Sequence, residues 1–97
     1  TGAYTLVLTD AGKHISNTTG GFAIPSNGAP NNVPFPVGTT IVLYNNSGTA
    51  QNITITSDTL RLAGTATAGS PRSLAQRGLA TCVKVATTEW VVSGNVT

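Results

Sequence analysis

Val33-Pro34-Phe35-Pro36-Val37-Gly38-Thr39-Thr40-Ile41-Val42-Leu43-Tyr44-Asn45-Asn46-Ser47-Gly48-Thr49-Ala50-Gln51-Asn52-Ile53-Thr54-Ile55-Thr56 reads as two strands and the turn between them. Pro34 and Pro36 fix φ and disfavour helix at the residues before them, so the chain enters extended at Val33 and Phe35. Gly38 allows a sharp bend. Thr39 to Tyr44 is rich in β-branched and aromatic residues, and Asn45-Asn46-Ser47-Gly48 offers residues that tolerate positive φ in a hairpin turn. Asn52 to Thr56 is the expected return strand, with Ile53 and Ile55 on one face and Thr54 and Thr56 on the other.

The same alternation recurs to either side. Tyr4 to Leu8 reads as a strand with Tyr4, Leu6 and Leu8 on one face, followed by a tight turn at residues 9–12. There Asp10 accepts from amides further on and Gly12 supplies the unusual dihedral. Lys13 to Ser16 continues extended, residues 17–21 turn, Phe22-Ala23-Ile24 is a short extended piece, and residues 25–32 form a Pro, Asn and Gly surface loop. Asp58 to Leu62 places Leu60 and Leu62 inward and Arg61 outward, and residues 63–70 form a loop of small residues. Residues 71–78 carry no decisive period, either one helical turn or a strand, and the neighbouring strands favour a strand. Leu79 to Ala86 and Glu89 to Gly94 form a hairpin closed by Thr87-Thr88.

With 97 residues and no repeat, heptad or amphipathic helix, residues 1–97 are expected to form a single all-β domain, a small antiparallel β-sandwich or a jelly-roll-like barrel. The expected core is Leu6, Leu8, Ile15, Phe35, Ile41, Leu43, Ile53, Ile55, Leu60, Leu62, Val83, Val85, Trp90 and Val92. Residues 41–44 and 90–92 are apolar on both alternating sets, which predicts cover on both faces, by either a two-sheet sandwich or a neighbouring subunit.

Charged residues make up 8% of the chain against about 25% in ordinary domains. Thr, Ser, Asn and Gly fill the deficit, and such a surface is cheap to desolvate against another subunit. Tyr44, Val42, Val91 and Trp90 are therefore the interface candidates, since large aromatics buried across subunits dominate binding energy. The net charge of +2 rests on Lys13, Arg61, Arg72, Arg77 and Lys84 against three carboxylates. These cations are scattered, which argues against a nucleic-acid surface. Neither a signal peptide nor an apolar run of spanning length is present, so no membrane insertion is expected. The absence of Met fits a product trimmed before Thr1, or a fragment.

Catalysis is disfavoured. His14, Cys82, Asp10, Asp58 and Glu89 are too few to supply an acid, a base and their tuning partners, and no metal or cofactor set emerges. Cys82 lies in an apolar strand and reads as a buried reduced thiol, and Asp10 as a turn residue with Lys13 solvated beside it. The acceptor patterns at Asn17, Asn45, Asn52 and Asn95 are expected by chance in a chain this rich in Asn and Thr. Tyr4, Tyr44, Trp90 and Phe22 could stack on a sugar, although such residues are more often core. Ser26, Asn27, Asn31, Asn32, Asn45 and Asn46 are candidate ligand-contact positions on two loops.

Three blocks carry a resemblance: Leu6-Val7-Leu8-Thr9-Asp10-Ala11-Gly12-Lys13, Phe35-Pro36-Val37-Gly38-Thr39-Thr40-Ile41 and Glu89-Trp90-Val91-Val92-Ser93-Gly94. In this order, over nearly the whole chain, they resemble a short β module that ends many tailed-bacteriophage fibre, spike and particle-surface proteins. The resemblance implies a non-enzymatic virion structural protein, homotrimeric, made in the bacterial host cytoplasm and exposed on the particle. Its role would be capsid decoration (cement) or fibre knob, with other phage virion proteins as partners. The alternative is a receptor-binding domain of a tail fibre or spike that recognises a host surface glycan. The loop at residues 26–32 departs from the usual pattern, so no ligand specificity carries over.

Overall fold

The computed structural model describes residues 3–65 and 68–97. Among the described residues nine strands form two sheets: β1 Tyr4–Thr5, β2 His14–Asn17, β3 Phe22–Ile24, β4 Thr40–Asn45, β5 Gln51–Ile55, β6 Thr59–Leu62, β7 Arg72–Leu74, β8 Leu79–Ala86 and β9 Glu89–Gly94. One sheet has the order β1-β3-β5-β7 and the other β2-β4-β8-β9-β6. The fold is all-β, two layers closed around one core, in keeping with the sandwich expected from the alternating pattern.

How the chain reaches that fold differs from the expectation. β4 and β5 are not a hairpin, because they lie in different sheets. Both strands are apolar inward, and crossing between layers lets each one cover the other's core face. From β1 to β8 successive strands alternate between the layers, so β1/β3, β3/β5 and β2/β4 stack in parallel. β6/β9 is parallel as well, and the sheets are mixed rather than antiparallel. The β2 and β4 rungs lie in register, with His14 beside Val42 and Asn17 beside Asn45. Asn17 Nδ2 donates to Gly21 O at 2.7 Å and Asn45 Nδ2 to Thr49 O at 2.8 Å, the same contact four residues on. The chain thus repeats a rung in space where its sequence shows no repeat. β8 and β9 form the expected hairpin, β7 is a strand as favoured, and residues 66 and 67 of the expected small-residue loop lie outside the described residues.

Asn45 is the last residue of β4 and fully buried, so the turn after it closes through side chains and not through positive φ at residues 45–48. Gly12 and Gly38 take the expected left-handed angles, φ 75° and 97°. The first strand ends at Thr5, and a short 3-10 turn, Leu8–Asp10, turns Leu8 out of the core to 48% exposure. The Asp10 carboxylate accepts from residues before it, Val7 N and the Tyr4 hydroxyl, both at 2.9 Å, while the amide further on, Lys13 N, donates to the Asp10 backbone carbonyl at 2.9 Å.

Leu6, Phe22, Ile24, Phe35, Ile41, Leu43, Ile53, Leu60, Leu74, Ala80, Cys82, Trp90, Val92 and Val96 form the core, with Ile15, Ile55 and Leu62 packed partly buried against it. Phe35 and Trp90 meet edge to face, centroids 5.5 Å apart. β8 runs in the opposite phase to the one expected. Ala80, Cys82 and Lys84 point in, while Val83 is half-buried on the outer face and Val85 is 47% exposed. The phase follows from pairing: Cys82 lies opposite Ile41 on one side and Val92 on the other, and residues opposite one another share a face.

Candidate assembly surface

Register fixes what the outer face of the five-stranded sheet carries. β4 contributes Val42 and Tyr44, β8 Leu79, Thr81, Val83 and Val85, and β9 Val91 and Ser93. Leu79 and Val85 are about half exposed, at 50% and 47%, and Val42, Tyr44, Val83 and Val91 are half-buried. Among the described residues, no helix or second sheet covers this side. Gly38 N donates to Lys84 O at 2.7 Å, which seats the loop bearing the exposed Val37 beside the segment with Val85. At one border the His14 and Tyr44 rings lie 6.1 Å apart, and at the other Arg61 pairs with Glu89 at 3.0 Å. A band of valines, one leucine and hydroxyls between polar borders has the apolar centre and polar rim of a protein contact.

Three of the four interface candidates, Tyr44, Val42 and Val91, thus share one face. Trp90 does not join them. It is 1% exposed and inward, where it packs against Phe35. The other sugar-platform candidates divide likewise, with Phe22 buried in the core and Tyr4 half-buried and held by Asp10. That hydrogen bond keeps the Tyr4 proton in place and raises its pKa.

The two loop groups do not form one contact surface. Ser26 is fully buried and its hydroxyl donates to Gly28 O at 2.7 Å, so the expected surface loop begins inside the protein. Asn31 is exposed and its Oδ1 accepts from Ser26 N at 3.0 Å. Asn32 is exposed at φ 55°. The Asn45 amide donates to Leu74 O at 3.2 Å and Ala75 O at 3.0 Å, fastening β4 to the strand of the opposite sheet, so it faces no solvent. Asn46 is exposed and accepts from the Arg77 guanidinium.

Sequence reasoning missed a cluster around Lys84, which is 1% exposed. Its Nζ donates to Asn27 Oδ1 at 2.7 Å and to Phe35 O at 2.8 Å, and Asp58 Oδ2 accepts from Asn27 N at 2.9 Å. Burial lowers the Lys84 pKa, and the Asp58 charge works against that shift. The signal is the alternation Ala80, Cys82, Lys84, which the more apolar alternate set with Val83 and Val85 masks. Cys82 is buried, and desolvation pushes its thiol up to about 12.

Among the described residues, no three His, Cys, Asp or Glu side chains converge as a metal site, no pocket opens, and no helix is long and apolar enough to cross a membrane. No protein-family model, curated protein or solved structure matches the chain.

Proposed function

We propose that this chain is a non-enzymatic structural module of a bacteriophage particle, exposed on the virion surface and assembled as a homotrimer through the outer face of the five-stranded sheet. One observation carries the reading: the band formed by Val42, Tyr44, Leu79, Val83, Val85 and Val91 lies on one uncovered sheet face. Its burial against copies of the chain, or against the shell it coats, strands no charge at the centre. The three sequence blocks that resemble fibre, spike and particle-surface modules supply the virion context. The carboxylates have internal partners as well. Asp10 holds the first turn, Asp58 holds Asn27 N and Glu89 pairs with Arg61. Imaging of intact particles with the module labelled tests the context. Density at capsid sites supports cement and density at fibre tips supports a knob, whereas a module absent from purified particles removes the virion reading.

A second reading, a receptor- or glycan-binding domain, draws on the tilted His14 and Tyr44 rings beside an exposed Asn46. A glycan array on which Tyr44→Ala abolishes a specific hit supports it, and an array at background level removes it.

A further inference from the structure

We propose that Lys84 and Asn27 are the two halves of an intramolecular isopeptide bond, closed between strand β8 and the loop that follows β3. Lys84 Nζ lies 2.7 Å from Asn27 Oδ1. A carbonyl bond is about 1.23 Å long, so the nitrogen is within about 4 Å of Cγ at any angle. The two residues are 57 apart in sequence and are brought together only by the fold. Phe35 O accepts from the same nitrogen at 2.8 Å and holds it against the amide. Such fixed proximity, with the Lys84 side chain only 1% exposed, is what an otherwise slow amide exchange requires.

The chemistry balances without any outside reagent. Lys84, having released its ammonium proton to solvent, attacks Asn27 Cγ as the neutral amine. The Cγ–Nδ2 bond breaks as the Nζ–Cγ bond forms. One proton passes from Nζ to Nδ2, which leaves as ammonia, so amine plus primary amide gives secondary amide plus ammonia. Asp58, which accepts from the Asn27 backbone amide and whose charge acts on Lys84, is the carboxylate assigned to carry that proton. Burial favours the neutral nucleophile. The product also replaces a buried cation, which is costly to hold in this interior, with an uncharged amide. The bond ties the five-stranded sheet to the loop leaving the four-stranded one, and it does not depend on the reading of the outer face.

Intact mass spectrometry of the denatured 97-residue chain, followed by peptide sequencing, tests this. The expected mass is the sequence mass less one ammonia, with Asn27 and Lys84 recovered in one branched peptide. Lys84→Arg and Asn27→Ala should each restore the full mass, and Asp58→Asn should leave most of the chain unlinked. Full sequence mass after prolonged incubation of the folded protein at mildly alkaline pH overturns the proposal. So does an ammonia loss found on a linear Asn27 peptide, which marks a succinimide at Asn27-Gly28.

Discussion

Polar side chains in this protein act where the backbone cannot close on itself. Asp10, 6% exposed, takes up the Val7 amide and the Tyr4 hydroxyl at the first turn. Asp10→Ala leaves both donors without their acceptor and is expected to cost about 1–3 kcal/mol in chemical denaturation. An equally stable variant would mean that water replaces the carboxylate at no loss. Cys82 shows the reverse case, a reactive atom silenced by burial. Because its folded pKa of about 12 exceeds the ordinary 9.0, the folded state holds the proton more tightly than the unfolded one. Its contribution to stability is full below pH 9 and is lost as pH rises from there towards 12. In denaturation across that window Cys82→Ala should flatten the decline, and an unchanged decline would assign it to other groups. In the native protein a thiol reagent should label Cys82 only at the rate of opening.

At the scale of elements, the turns decide whether the rungs stack. Gly21 leads into β3 at φ 74°, and a Cβ there would lie 2.0 Å from Asn52 O of β5. Gly21→Ala combines left-handed strain of about 1–2 kcal/mol with a backbone clash. It should therefore destabilise by more than that strain alone, and a melting temperature equal to that of the parent would show that β3 and β5 can part without cost. Phe35 and Trp90 join the long loop to β9, and Trp90→Ala is expected to cost about 3–5 kcal/mol, read by denaturant titration. These elements also show how far the sequence could be read. Pro34, Pro36 and Gly38 fixed the entry to β4, and the alternation of Ile53 with Thr54 marked β5, because local sterics and period settle both. That β4 and β5 belong to different layers was not legible, since alternation tells which side faces a core and not which strand lies alongside. The phase of β8 failed for a related reason. Val83 and Val85 are the more apolar set, yet the pairing of Cys82 with Ile41 and Val92 turns Lys84 inward, and the energy that makes this tolerable comes from Asn27 and Phe35, far away in sequence.

For the whole molecule, the sandwich uses up one side of each sheet and leaves an apolar side on the larger one. Three interface candidates were legible from residues 41–44 and 90–92, where both alternating sets are apolar. Leu79, Val83 and Val85 came to light only once the phase of β8 was known. Val42→Asp and Val91→Asp put a charge on the outer face and leave the core untouched, so they should weaken assembly and leave the circular dichroism spectrum and unfolding midpoint of the protomer nearly as they were. The most direct test is sedimentation equilibrium of the parent chain at micromolar concentration beside Val83→Asp. The account expects a trimer mass for the parent and a shift to monomer for the variant. A parent chain that sediments as a stable monomer, or a trimer indifferent to Val83→Asp, would contradict it.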